Sequence, residues 1–126
     1  YPGTAAYYNN YKQTLYVKRD VDDSVKICQN IARELAYAEL SINSDGYSRS
    51  DSGFAATCIG YMLCKKYGVD TQSFAINRIP DSLKNAEAKD IRQELTKIRN
   101  SMSEIHSRIN DELYKQKQSR NKDYER

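Results

Sequence analysis

Apolar residues near the N-terminus alternate with other residues in one short segment. Between Gln13 and Arg19, Leu15 and Val17 occupy every second position, which is the period of a β-strand with one buried face. Residues 1–10 are rich in Gly, Pro, Asn and Tyr, and they predict an irregular lead-in with short extended structure. We therefore expect a small N-terminal β element of two or three short strands.

Two later segments repeat apolar residues at the spacing of a helix. The first follows acidic residues at 20–23, which can cap it, and ends near Asn43 in a cluster of helix-breaking residues. The second follows residues 50–52 and ends at Gly68, after two lysines. Four small residues on the second helix predict close approach to the first. They are Gly53, Ala55, Ala56 and Gly60.

The third helical segment has the longest apolar stripe of the chain. Its members are Ile91, Leu95, Ile98, Met102, Ile105 and Ile109, at spacings of 4, 3, 4, 3 and 4. A helix from about residue 86 to 116 would be ~45 Å long, which exceeds the width of a domain this small. We expect positions 91–102 to cover the first two helices. Positions 105–113 fit two alternatives, the same core or a homodimer in which two copies of this helix pair.

The whole pattern predicts an α+β, mostly helical fold of three main helices and a small N-terminal β element. At 126 residues, the chain is long enough for one domain and too short for two. We place the domain at residues 1–114 and interpret the basic residues 115–126 as a frayed tail. Because the chain begins with Tyr1 and not with Met, we expect it to be a piece of a larger protein.

The charge and the aromatic composition do not identify what the domain binds. The net charge is +3, and residues 115–126 alone supply five basic against two acidic residues. The rest of the domain is therefore balanced, which favours neither the presence nor the absence of nucleic-acid binding. There are eleven Tyr against two Phe. We expect these tyrosines either in a shallow core with their hydroxyls in water or on a surface that meets partners.

Other features of the sequence predict a cytoplasmic protein with no membrane partner. No stretch approaches the ~20 apolar residues of a membrane span, and no signal-peptide pattern is present. The cysteines Cys28, Cys58 and Cys64 form no C-x-x-C pair, which favours reduced thiols. We interpret them as small apolar side chains on helix faces and not as a zinc site with His106.

The first helix contains the outline of a zinc-peptidase motif. In H-E-x-x-H, two neutral histidines at i and i+4 hold one metal ion, and the glutamate acts on the bound water. Here the segment is R-E-L-A-Y, with Arg33 and Tyr37 at the histidine positions around Glu34. An arginine stays protonated and repels a cation, and a tyrosine phenol rarely binds zinc. The motif therefore predicts a peptidase helix with no metal and no cofactor.

Further segments are similar to one known family. They are A-A-Y-Y at 5–8, T-L-Y-V at 14–17 and A-T-C-I-G-Y-M-L-C-K-K-Y-G-V-D-T at 56–71. With Leu95, Ile98 and Ile105 of the closing helix, they resemble the ArdC/LtrC-like antirestriction and conjugative-element proteins. The corresponding part of those proteins is similar to minimal metallopeptidases of the ImmA/IrrE type. The resemblance covers most of positions 5–113 and implies a minimal zincin-like scaffold.

The resemblance also implies a third zinc ligand, a glutamate early in the second helix. The matching position is Ala55, and a nearby acidic alternative falls on Gly53. All three ligand positions would then have lost their ligands together. Arg33, Glu34, Tyr37 and Ala55 are therefore expected to mark a vestigial active site, with no catalytic and no metal-binding residue.

These features predict a non-catalytic binding or interaction domain of a protein from a conjugative transposon, plasmid or phage. Its partner would be another protein or a flanking domain of the same chain. Arg33, Glu34 and Tyr37 would form either an internal polar cluster in place of the metal or plain helix surface. A divergent hydrolase that uses Glu34 with Tyr37, joined by His106 from the third helix, is the enzymatic alternative.

Nucleic-acid binding in DNA transfer or antirestriction is the other alternative. Tyrosines and cations interleave in the N-terminal segment, where they could stack on bases and neutralise phosphates. The candidate contacts are Tyr8, Tyr11, Lys12, Lys18 and Arg19, with Tyr7 and Tyr16 as further stacking candidates. The same residues also fit a strand that contacts no ligand.

Overall fold

The protein has the α+β, mostly helical fold that its sequence predicts. The structure is a computed structural model that describes residues 5–18, 23–42, 46–72, 74 and 79–124. Two short strands come first, β1 (Ala6–Asn9) and β2 (Thr14–Val17). The helices are α1 (Ser24–Ile42), α2 (Gly53–Lys66), α3 (Asp81–Lys84) and α4 (Ala88–Tyr124), with a 3-10 turn at Ser50–Ser52 leading into α2.

The two strands form an antiparallel hairpin in which Tyr8 lies opposite Leu15. At the end of the ladder, the N–H of Lys18 donates to the carbonyl of Ala5 at 2.9 Å, so Ala5 and Lys18 form a hydrogen-bonded pair. Hydrogen-bonded and non-hydrogen-bonded pairs alternate along such a ladder, so Tyr8 and Leu15, three pairs further on, form a non-hydrogen-bonded pair. The N–H of Tyr8 therefore points away from β2. The sequence predicted short extended structure here. It did not show that the backbone N–H of Tyr8, on the outer edge of β1, is unused in the hairpin.

Close packing of α1 against α2 forms the centre of the core. A Cβ atom on Gly60 would lie 3.2 Å from the backbone N and Cα of Arg33, so the helices can approach this closely only without a side chain at position 60. The predicted end of α2 is confirmed, since Gly68 has a φ of +74°. At the start of α1, a carboxylate oxygen of Asp23 accepts the N–H of Lys26 at 3.1 Å.

The middle of α4 completes the core, and its first turns do not. Its core-facing apolar residues are Ile98, Met102, Ile105 and Ile109. Ile91 and Leu95 are exposed, Leu95 by 56%, so the prediction that positions 91–102 cover the other helices is wrong for its first half. With 14 residues α2 is ~21 Å long, whereas α4 with 37 is ~55 Å, so only part of the stripe can meet it.

The last part of α4 also differs from the prediction. The helix continues to Tyr124, beyond the expected end near residue 116, and includes the basic residues up to that point. All side chains from 110 to 120 are exposed, which leaves this end outside the core. Ile105 is buried in the chain's own core and Ile109 packs partly buried against it, as the first of the two alternatives for these positions expects.

Some predicted features lie outside the described residues. These are Arg19 as a nucleic-acid contact, the acids at 20–22, and residues 43–45 of the helix-breaking cluster. Within the described ranges, no helix combines the length and apolar character needed to cross a membrane.

Candidate functional site

Glu34 is more deeply buried than any other charged side chain in the described part of the protein, with 1% of its surface exposed. Its Oε1 accepts the outward-pointing backbone N–H of Tyr8 at 2.8 Å. Its Oε2 accepts a hydrogen bond from Nη2 of Arg49, also at 2.8 Å. Both carboxylate oxygens are therefore bonded within the protein, which replaces the water that an ionised group loses on burial.

The guanidinium of Arg49 lies among aromatic rings. Its Cζ atom is 3.9 Å from the ring centroid of Tyr37 and 4.8 Å from that of Tyr7, within the range of cation–π attraction. Burial lowers the pKa of Arg49, but the hydrogen bond and the charge of Glu34 outweigh it, so the pKa is raised overall. Arg49 therefore stays charged, neutralises Glu34 and joins α1 to the segment before α2.

Tyr37, which is buried, and Tyr47, which is half-buried, border this ion pair. The hydroxyl of Tyr37 is 3.7 Å from the position of a Cβ on Gly53, at the start of α2. Burial raises the pKa of Tyr47, and the positive charge of Arg49 offsets part of this rise. The phenol of Tyr47 is therefore protonated at neutral pH. We call Glu34, Arg49, Tyr7, Tyr37 and Tyr47 the Glu34 cluster.

Arg33 borders the Glu34 cluster from the other side. Its Nη2 donates to Oδ1 of Asn30 at 3.1 Å, and its Nε lies 3.9 Å from Oε2 of Glu34, which is too long for a hydrogen bond. The side chain is 36% exposed and lines an open cleft between α1 and α2. Of the vestigial positions on α1, Glu34 and Tyr37 thus form an internal polar cluster, while Arg33 belongs partly to the surface.

The structure places Ala55 on the side of α2 that faces away from Arg33 and Tyr37. Gly53 and Gly60 both face α1, as their close approaches to Tyr37 and Arg33 show. Ala55 follows Gly53 by two residues, which is about 200° around a helix, and it is buried on the opposite face. Ala55, the expected third ligand position, therefore does not face α1, whereas the alternative position Gly53 does.

The side chains at this site do not fit a zinc ion. Arg33 and Tyr37 stand at the imidazole positions, and the guanidinium of Arg49 lies against the Glu34 carboxylate. Across the described ranges, no three His, Cys, Asp or Glu side chains are grouped to hold a metal. Acid-base chemistry by Glu34 would require Arg49 to move away first, because both carboxylate oxygens are bonded.

His106 does not join Glu34. Its Nδ1 shares a hydrogen bond of 2.7 Å with the hydroxyl of Tyr67, and its Nε2 lies 3.0 Å from the amide nitrogen of Asn110. Tyr67 follows the last residue of α2, whereas Arg49, the partner of Glu34, precedes its first. The predicted combination of Glu34, Tyr37 and His106 is therefore not formed.

The candidate nucleic-acid contacts are scattered. The ring of Tyr8 is buried, so it offers no stacking surface, whereas Tyr11 is 93% exposed in the turn between the strands beside Lys12. Lys18 is exposed after the far end of β2. Tyr11 and Lys12 are neighbours in the turn, and Tyr7 lies opposite Tyr16 on the hairpin. Contact with nucleic acid stays a prediction for the exposed residues.

Sequence reasoning missed the residue that organises the site, Arg49. It lies in a Ser- and Asp-rich connection, where an arginine resembles any solvated charge. The sequence also could not show that the backbone N–H of Tyr8 is free to bond Glu34, because that depends on the strand register. A buried glutamate on an otherwise apolar helix face was the available signal that a cationic partner must come from another segment.

Comparison with protein-family models, curated proteins and solved structures gives no match to this chain.

Proposed function

We propose that this chain is a non-catalytic interaction domain built on a metallopeptidase-like scaffold. One observation supports it above all: both oxygens of Glu34 are bonded internally, and the residue is almost completely buried. A general base must present an oxygen to water or substrate. A glutamate committed to a backbone N–H and an arginine instead serves to hold the segments of the protein together.

The position of Arg49 gives this proposal a structural rationale. In a metallopeptidase of this type, the ion cross-links the ligand-bearing segments. Here a guanidinium contacts Glu34 of α1 and the rings of Tyr37 and Tyr7, the latter in β1. A charged, hydrogen-bonded arginine can supply the same cross-link without a metal.

The biological setting rests on the resemblance to ArdC/LtrC-like proteins. We infer a role in a mobile genetic element, in conjugative transfer or antirestriction, with another protein or a flanking part of the same chain as partner. DNA binding through the exposed residues of the hairpin is the alternative, and no contact in the described structure favours it over protein binding.

The proposal is tested by assaying hydrolysis with and without the only glutamate of the motif. Protein purified without chelator is supplied with zinc and incubated with a peptide library, and products are detected by mass spectrometry. We expect the wild-type chain to cleave no more than Glu34→Gln. Cleavage that depends on zinc and is abolished by Glu34→Gln would show a working hydrolase and overturn the proposal.

A further inference from the structure

The cleft beside Arg33 is a polar cavity of about 390 Å³ on the face of α1 where the motif would place its first histidine. Lys26, Asn30 and Arg33 line it from α1 at a spacing of i, i+4 and i+7, so they share one helix face. Thr57 lines it from α2, and the ring of Phe74 forms an aromatic wall. Asp23 contributes a carboxylate at the start of α1.

The neutral polar groups of the cleft are satisfied within the protein. The amide nitrogen of Asn30 donates to the carbonyl of Lys26 at 2.8 Å, and its oxygen accepts Arg33. The hydroxyl of Thr57 donates to the carbonyl of Gly53 at 2.8 Å. These groups therefore shape the cleft and contribute few donors to a ligand.

Arg33 has N–H groups that make no hydrogen bond among the described residues. A guanidinium has five N–H groups, and among the described residues only Nη2 makes a hydrogen bond, to Asn30. Its Nε has no hydrogen-bond partner in the described structure, but it is buried beside Glu34, so the donors offered to a ligand are those of the two Nη atoms. The Glu34 carboxylate, at 3.9 Å, is already taken by Arg49. A half-buried guanidinium with unused donors suits an acceptor that binds in a forked geometry, which is a carboxylate or a phosphate.

The charge of the cleft favours the same chemistry. Lys26 and Arg33 supply two positive charges, and Asp23 supplies one negative charge while it caps α1. An anion at Arg33 would be attracted by both cations, in a place partly shielded from water.

We propose that this cleft binds a carboxylate-bearing segment of a partner protein, with the carboxylate on Arg33 and an apolar neighbour against Phe74. This rests on the proposed function and gives its partner a chemical class, an acidic peptide. Peptide is favoured over nucleic acid because two cations against one carboxylate are too few to follow a chain of phosphates, and because the exposed Lys12 and Lys18 of the hairpin are not among the residues that line the cleft.

The test measures binding of defined peptides by fluorescence anisotropy at low salt. The probe is a labelled peptide Gly-Glu-Phe-Glu-Gly, compared with Gly-Gln-Phe-Gln-Gly and with a labelled oligothymidylate. Arg33→Gln and Lys26→Gln are compared with Lys66→Gln, which removes the same charge from an exposed position at the end of α2. Thermal unfolding of each variant checks that it is folded.

We expect the glutamate peptide to bind more tightly than the glutamine peptide, and Arg33→Gln to weaken it by about tenfold or more. Lys26→Gln should weaken it less, and Lys66→Gln should leave it unchanged. Equal binding of both peptides, equal loss in Lys66→Gln, or a preference for the oligonucleotide that depends on Arg33 would each overturn the proposal. If Arg33→Gln does not fold, the comparison of Lys26→Gln with Lys66→Gln decides.

The same samples separate this proposal from the proposed function. Mass spectrometry after incubation shows whether the peptide remains intact. Binding without cleavage supports both, whereas no binding without cleavage removes only the acidic-peptide assignment. Cleavage that disappears when Glu34→Gln is added to the set of variants would remove the non-catalytic function without changing the binding result.

Discussion

Nη2 of Arg49 lies 2.8 Å from Oε2 of Glu34, which joins a partly exposed arginine to an almost fully buried carboxylate. The other oxygen of Glu34 holds the backbone of β1 through Tyr8. A single carboxylate thus connects β1, α1 and the segment before α2. The hairpin has two strands, too few to be stable alone, so this connection is one reason that it stays in place.

Removing Arg49 should destabilise the fold strongly. Arg49→Met keeps much of the side-chain volume but leaves the Glu34 carboxylate buried without its cation, which costs about 3 kcal/mol in comparable pairs. We expect the free energy of unfolding in urea to fall by about this amount. In the double variant with Glu34→Gln, the two losses should be less than additive, because both changes remove one interaction.

Arg108→Met is the matched control. Arg108 pairs with the buried Glu39 at 2.8 Å, but its own side chain is 59% exposed and in contact with water. Its removal also leaves a buried carboxylate without its cation, but the side chain of Arg108 lies largely in water, so we expect a smaller loss than for Arg49→Met. Equal losses for Arg49→Met and Arg108→Met would show that the aromatic surroundings of Arg49 add nothing.

Features decided by neighbouring residues were predictable from the sequence. The apolar spacing gave the extents of α1 and α2, Gly68 marked the end of α2, and the small residues indicated a close helix pair. The position of Glu34 in a peptidase-like motif indicated where the polar cluster would lie. Each of these depends on local backbone preference or on periodicity.

Features decided by distant contacts were not predictable. The apolar stripe of α4 is regular, but which part is buried depends on where α2 lies along it, so Leu95 is exposed and Ile105 is not. The pairing of Glu34 with Arg49 joins α1 to a connection 15 residues away. Whether Gly53 or Ala55 faces α1 depends on how α2 is rotated about its axis, and the residue spacing does not reveal that rotation.

Gly60→Ala should destabilise the protein. The added Cβ would lie 3.0 Å from the Phe74 ring and 3.2 Å from the Arg33 backbone, and the backbone cannot yield as a flexible side chain does. Overpacking of this kind costs roughly 1–3 kcal/mol, more than the helix propensity that alanine adds. Gly53→Ala is the control, since its nearest contact is an ordinary 3.7 Å and its stability should be unchanged or higher. Urea unfolding of both variants measures the difference.

Building a zinc site between α1 and α2 should require four changes. Arg33→His and Tyr37→His supply the imidazoles, Gly53→Glu supplies a carboxylate on the face of α2 toward α1, and Arg49→Ala removes the competing cation. We expect this variant to bind zinc in stoichiometric amount, measured by elemental analysis after dialysis. A second variant with Ala55→Glu in place of Gly53→Glu should bind far less. If the Ala55 version binds equally well, the assignment of Gly53 fails.

Alkylation near neutral pH should modify Cys28 first. Cys28 is exposed on α1, whereas burial raises the pKa of Cys58 and of Cys64, helped by the charges of Glu94 and Cys28 respectively. A raised pKa lowers the thiolate fraction, and the thiolate is the species that reacts. Peptide mapping after brief treatment with iodoacetamide measures the order. In concentrated urea the three rates should converge, and rapid modification of Cys64 in the native protein would contradict the packing described.

The projecting end of α4 should associate with a second copy at high concentration. From residue 110 to 120 its side chains are exposed, including Leu113 and Tyr114, and a short helix without packing is marginally stable in water. Pairing of two such ends would bury Leu113, so we expect sedimentation equilibrium to show a weak dimer that Leu113→Lys abolishes. Ile91→Lys, which places the same charge on an exposed apolar position at the other end of α4, should leave the dimer intact. A protein that is monomeric throughout, or one in which both variants act alike, would exclude pairing through this end.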